Sequence, residues 1–146
     1  MTLVRDIRET DAQDWRRLWA GYNDFYEAAV PADVTEHTLR RLLDPTSPLI
    51  GRIAEIDTRV SGFSVSVLHE CSWTSSPTCY LEDLFVAPHF RGAGVGRALI
   101  HDLIDLGRMR GWSQLYWLTS ANNERARRLY DEFVQADNFV RYRLTL

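Results

Sequence analysis

The pattern of apolar and polar positions divides the chain into alternating strand-like and helix-like stretches. Leu3, Arg5 and Ile7 alternate with Val4, Asp6 and Arg8, which predicts a first strand over Leu3–Arg8. Thr10-Asp-Ala-Gln13 has the form of a capping box, so a helix is expected from about Asp11. Trp15, Leu18, Trp19, Tyr22 and Tyr26 then recur at helical spacing, and Pro31 discourages continuation beyond about Ala29. A second short helix fits Thr35–Leu43, followed by a loop through Pro45 and Pro48. Leu49–Ile56, a turn at Asp57-Thr-Arg59, and Val60–His69 read as a hairpin. Phe63, Val65 and Val67 alternate with Gly62, Ser64 and Ser66, as on a strand with one buried face. Glu70–Thr78 is a loop containing Trp73.

Tyr80–Val86 is an apolar run bounded by Pro77 and Pro88, and predicts another strand. Ala87–Gly96 is a loop rich in glycine. From Val95 the positions Val95, Leu99, Leu103 and Leu106 keep helical spacing, and the helix should end near Gly111. Gln114–Thr119 reads as a strand and Asn122–Phe133 as a helix whose Asn123, Ala126, Tyr130 and Phe133 share one face. Phe139–Leu146 reads as a final strand. No repeat, low-complexity segment or dividing linker interrupts the 146 residues, so one domain over 1–146 is expected.

Composition narrows the function classes. Hydrophobic residues are 45% and charged residues 25%, ordinary for a soluble globular protein. The net charge of -3 disfavours broad nucleic-acid binding. No apolar leader or run of membrane-spanning length is evident, so a cytoplasmic protein with no membrane partner is expected. Cys71 and Cys79 lack the spacing of a zinc or redox motif, and two reduced structural cysteines are expected. His37, His69, His89 and His101 are scattered, and no metal is expected. All 17 basic residues are arginines, so the chain offers no side-chain amine of its own.

A strand, a glycine-rich turn and a helix N-terminus together make an anion-binding device. The free N–H groups of the first helical turn converge, the helix dipole adds partial positive charge, and glycine lets a phosphate approach the backbone. Arg91-Gly-Ala-Gly-Val-Gly96 is not a nucleotide P-loop, which needs lysine followed by serine or threonine. Nor do glycines spaced by two match a dinucleotide fingerprint.

The loop resembles the coenzyme A pyrophosphate loop of the GNAT acyltransferase superfamily, with Arg91, Gly94 and Gly96 at the defining positions. A second motif, Asn123-x-x-Ala126-x-x-Leu129-Tyr130, follows in the family's order one helix and one strand later. The resemblance covers almost the whole chain and is strongest from Tyr80 to Tyr130. Tyr80-Leu-Glu-Asp-Leu-Phe-Val86 looks like the corresponding strand of spermidine/spermine N-acetyltransferases. Tyr116-Trp-Leu-Thr119 resembles bacterial members related to the histone/polyamine acetyltransferases of yeast.

The resemblance implies an α+β fold, with a mixed, mostly antiparallel sheet, helices on both faces and a short ending of one final strand. It implies acetyl-CoA as co-substrate, held by Leu84, Phe85 and Val86, by Arg91, Gly92, Ala93, Gly94, Val95, Gly96 and Arg97, and by Asn123, Ala126 and Tyr130. It also implies that the strand bearing Leu84–Val86 splays from its neighbour and that the Val86 N–H receives the carbonyl oxygen. Tyr130 is expected as the catalytic acid, since a tyrosine titrating near ~10 is protonated at neutral pH. Glu82 is expected as the base acting through water.

The implied reaction is acetyl transfer to a primary amine, with a small cationic amine such as a polyamine favoured. Asp83 would supply acceptor-site charge. Tyr22, Tyr26, Glu27 and, in the loop before the strand, Trp73 would contact the acceptor. The acidic run Asp24, Glu27, Asp33 and Glu36 reads either as a solvated face or as a wall of that pocket. Protein or peptide acetylation and non-catalytic acyl-CoA sensing are the alternatives. After Phe133 only 13 residues remain, where the family usually has two strands. The final strand would then be an exposed edge, and a homodimer is expected on that ground.

Overall fold

The computed structural model describes residues 1–146. Strands β1 (Thr2–Asp6), β2 (Leu49–Ile56), β3 (Arg59–His69) and β4 (Thr78–Val86) pair antiparallel in chain order, and β5 (Gln114–Trp117) joins β4 in parallel. The β2–β3 turn places Asp57 and Thr58 at φ 48° and 63°, which suits the right-handed twist of a tight hairpin. A parallel neighbour needs a crossover, and helix α3 (Val95–Arg110) supplies it. Helices α1 (Ala12–Phe25) and α2 (Ala32–Leu43) lie between β1 and β2 in the chain, and α4 (Glu124–Tyr130) follows β5. The α+β architecture expected from the sequence is therefore present.

The helices cover both faces of the sheet. Trp15 and Leu18 of α1 and Leu39 and Leu42 of α2 pack on Ile53, Phe63, Val65 and Phe85. On the other face α3 sets Val95 and Leu99 against Ala54, and Ile100 and Leu103 against Leu81. Each large side chain removed from water contributes roughly 1.5–3 kcal/mol. β3 is thus buried on both faces, not on one as its alternation suggested. Its small residues have a packing reason: a Cβ on Gly62 would lie 2.7 Å from the Phe85 carbonyl oxygen and 3.0 Å from Val95 Cγ1.

Two charged clusters fix elements to the sheet. Arg52 of β2 is buried, donates to both carboxylate oxygens of Asp102 on α3 at 2.7 and 2.8 Å, and also pairs with Asp6. That clamp holds the crossover helix in register with the strands. Arg5 donates to both oxygens of Asp11, which also accepts the Arg8 N–H at 2.7 Å. Asp11 so closes a 3-10 turn over Glu9–Asp11, and the expected capping box at Thr10 is not formed.

Several boundaries differ from expectation, three of them with consequences for the site. α1 stops at Phe25 because Glu27 takes a left-handed φ of 51°, with its N–H donating to the Asp24 carbonyl at 3.2 Å and the Ala28 N–H to the Asn23 carbonyl at 2.8 Å. α4 ends at Tyr130, with only turns through Phe133. Residues 139–146 form no ladder, so the expected final strand is absent from the single chain. Strand-period apolar residues need a partner strand, and this stretch has none. Cys71 and Cys79 are unpaired. No helix is long and apolar enough to cross a membrane.

Candidate active site

The site begins where two parallel strands part. Thr78, Cys79, Tyr80 and Leu81 of β4 pair with Gln114, Leu115, Tyr116 and Trp117 of β5, and the ladder stops there. β4 continues to Val86 against β3 alone. The Ala87 N–H donates to the Ser61 carbonyl at 2.8 Å. Antiparallel pairing alternates bonded and non-bonded positions, so Phe85 and Asp83 direct their backbone groups to β3 as well. Leu84 and Val86 therefore direct theirs into the opened side. The Val86 carbonyl accepts from Arg91 Nε at 3.3 Å there.

A cavity of about 410 Å³ fills the opening on the glycine-loop side. Leu84, Phe85 and Val86 form one wall, the loop and the α3 N-terminus a second, and Asn123, Ala126, Leu129 and Tyr130 a third. Gly92 and Gly94 have φ of 84° and 80°, a conformation that side chains resist. Gly94 caps α3, leaving the first N–H groups of that helix directed at the cavity. Gly96 permits close approach of α4, since a Cβ there would lie 3.2 Å from Leu129 Cδ2. Arg91 lies over Phe25 and Phe85, at 5.9 and 5.7 Å from the ring centroids. Arg97 is held by Glu132 at 2.8 and 2.9 Å. Asn123 caps α4, its Oδ1 accepting the Ala126 N–H at 3.4 Å. The donor set suits a phosphorylated ligand with an apolar arm.

A second cavity, of about 470 Å³, opens on the other side of the gap, among Tyr22, Tyr80, Glu82, Thr119 and Ser120. Tyr26, Leu84 and Tyr130 line both cavities. Tyr130 packs edge-on against Trp117, with ring centroids 5.5 Å apart. Burial pushes the Tyr130 phenol up to about 12, and Tyr26 adds to the effect. Tyr130 therefore carries its proton at neutral pH.

The two carboxylates of β4 are not disposed as simple alternation predicts. Val65 pairs with Asp83 and Ser66 with Leu81, so Glu82 is the extra residue of a β-bulge. Strict alternation would put Glu82 and Asp83 on opposite faces, but Leu81 and Asp83 pair with adjacent residues of β3, so Glu82, alternating from Leu81, falls on the Asp83 side toward Tyr22. Glu82 is exposed in the second cavity, while Asp83 lies deeper beside Tyr22. Burial pushes the Asp83 carboxyl up to about 6; the Tyr22 hydroxyl lowers it in part and the Glu82 charge raises it.

Most sequence-predicted residues therefore converge on the gap. Glu27, Asp83 and Trp73 line neither cavity: Asp83 lies behind the second one beside Tyr22, and Trp73 is 91% exposed in its loop. Ala93 also lies outside the two linings. Sequence reasoning missed Arg125 and Phe90 in the first cavity and Tyr80, Thr119, Ser120 and Arg141 in the second. Arg125 sits inside the Asn-x-x-Ala frame and Thr119 ends the Tyr-Trp-x-Thr segment, so position alone could have marked both. Arg141 carried no motif.

Residues 9–133 match the family model described as the acetyltransferase (GNAT) family. A D-amino-acid N-acetyltransferase of Saccharomyces cerevisiae is 33% identical over 144 residues, covering 97% of this chain and 89% of the relative. A thialysine N-epsilon-acetyltransferase of Mus musculus is 27% identical, covering 88% of this chain and 81% of the relative. Among solved structures, AAC(6')-Iy in complex with the bisubstrate analogue CoA-S-monomethyl-acetylneamine superposes with TM-score 0.82 at 24% identity, covering 100% of this chain and 99% of that one.

Proposed function

The chain belongs to the GNAT acetyltransferase family, and on that premise we propose that it moves an acetyl group from acetyl-CoA directly to a small cationic primary amine, such as a polyamine or an amino acid. The observation that carries this reading is the position of Tyr130, which lines the donor-side and acceptor-side cavities together. The names of the yeast and mouse relatives, which act on a D-amino acid and on thialysine, favour a small amine over a protein.

Acetyl-CoA enters the first cavity with its pyrophosphate at the α3 N-terminus. Its pantetheine arm runs along the free edge at Leu84 and Val86. The acceptor enters the second cavity as an ammonium, since a free alkylamine titrates near ~10. Glu82 and Asp83 favour that charge, and the aromatic walls of Tyr22 and Tyr26 suit it. Glu82, through water, takes one proton from the ammonium, and the amine lone pair then attacks the thioester carbon. The Val86 N–H stabilises the charge that develops on the carbonyl oxygen. The C–S bond breaks, the nitrogen's remaining excess proton passes to solvent, and Tyr130 protonates the departing thiolate. The products are the amide and free coenzyme A.

Residues 139–146 also fit a second copy of this chain. Val140, Tyr142, Leu144 and Leu146 alternate with Arg141, Arg143 and Thr145, and all four apolar side chains stand in water. The segment has strand periodicity, unpaired backbone and an unburied apolar row. A homodimer that covers this row accounts for all three.

The test is release of free coenzyme A against polyamines, amino acids, aminoglycosides and short peptides. Turnover with small amines is expected. Turnover confined to peptides would overturn the small-amine reading.

A further inference from the structure

The acceptor-side cavity holds charges of both signs. Glu82 lines it from β4 and Arg141 from the C-terminal segment, and Thr119, Ser120 and Tyr80 line it as well. No ion pair joins Glu82 to Arg141, and Arg141 has no other carboxylate within pairing distance. Other arginines of the chain are also unpaired, so what distinguishes Arg141 is its place in the lining of the acceptor-side cavity, where it is the one basic residue. Phe139, two residues earlier, lines the same cavity. Phe139 and Arg141 thus border the cavity from its open side, while Val140, Tyr142, Leu144 and Leu146 lie outside the lining.

An unpaired arginine in an acceptor pocket has a chemical cost if the acceptor is purely cationic. It repels the ammonium that Glu82 and Asp83 attract. The same arginine becomes an asset if the acceptor also carries an anion. A guanidinium presents paired N–H donors that match a carboxylate, and this geometry discriminates as well as attracts. A carboxylate facing an unpaired guanidinium across one cavity is the charge pattern that a zwitterion complements. The volume of about 470 Å³ leaves ample room for an amino acid between them.

We infer that Arg141 binds the carboxylate of a zwitterionic acceptor, so that the site takes free amino acids in preference to simple amines and polyamines. This deepens the small-amine reading above and rests on it. Arg141 is then a specificity-determining residue delivered by the C-terminal segment, and the segment belongs to the acceptor site.

The experiment compares matched acceptors that differ only by the carboxylate: lysine with 1,5-diaminopentane, ornithine with putrescine, and alanine with ethylamine. Free coenzyme A is measured at saturating acetyl-CoA for the wild type, Arg141→Gln and Arg141→Lys. The wild-type kcat/KM is expected to favour the carboxylated member of the used pairs by about tenfold or more, the scale of one charge-assisted hydrogen bond. Arg141→Gln should bring that ratio close to one, and Arg141→Lys should restore part of it. Equal use of both members by the wild type would overturn the inference and leave the small-amine reading intact. So would a ratio unchanged in Arg141→Gln. No release from any pair would overturn the small-amine reading and this inference with it.

Discussion

Leu81 and Trp117 form the last rung between β4 and β5, and the gap shared by the two cavities opens beyond it. A parallel ladder continued past this pair would bury the backbone of Leu84 and Val86 in hydrogen bonds. Ended there, it leaves that edge for a ligand and opens a gap with two mouths. α4 closes the gap opposite β4 and places Tyr130 at the junction of the two cavities.

Tyr130→Phe keeps the packing against Trp117 and removes the only acidic proton of that side chain. We expect kcat to fall by about 10²-fold or more, the usual contribution of a positioned general acid. The acetyl-CoA dissociation constant should change little. Stopped-flow or steady-state thiol release, with donor binding followed by calorimetry, separates the two.

Glu82→Gln tests the base. Its effect is expected chiefly in kcat/KM for the amine, with the acid limb of the pH–rate profile moved or lost at saturating donor. A profile superimposable on the wild type would remove Glu82 from the mechanism.

Asp83 makes the fold itself pH-dependent. Its carboxyl titrates near 6 in the folded protein against an ordinary value of 3.8, so the folded state binds more protons between these values. Its contribution is fully present below the unfolded value and is lost as pH rises through about 6. Asp83→Asn removes that loss. The variant should be more stable than the wild type at pH 8, by up to about 3 kcal/mol on the scale of two pKa shifts of one unit, with little difference at pH 4. Urea unfolding at the two pH values checks it. The same variant should use cationic acceptors less well above pH 6, where the wild-type carboxylate is charged.

The glycine loop, its helix and the Asn-x-x-Ala frame were legible because each is local: residue type and spacing decide them over a dozen positions. The Glu82 and Asp83 pair was legible as chemistry but not as geometry. The bulge at Glu82 is set by the register of β3, and no pattern within β4 reveals it. Glu27 and Trp73 were misplaced for a similar reason. Acidic or aromatic character marks a candidate, while the left-handed turn after α1 and the course of the Glu70–Pro77 loop decide where it points. Arg141 was invisible because it lies in a segment whose alternation predicts a strand. A strand pattern says which faces differ, not which partner receives them.

The exposed row Val140, Tyr142, Leu144 and Leu146 predicts self-association. Sedimentation velocity at micromolar concentration should show a dimer, and Tyr142→Asp with Leu144→Asp should shift it to monomer. Wild-type protein found only as monomer would contradict the homodimer.

The central claim is that donor and acceptor occupy adjoining cavities at once and react directly. Initial rates of coenzyme A release, measured against amine at several fixed acetyl-CoA concentrations, test it most directly. Intersecting double-reciprocal lines are predicted, since both substrates must be bound before the acetyl group moves. Parallel lines, or acetyl-CoA binding with no amine-dependent release, would contradict it.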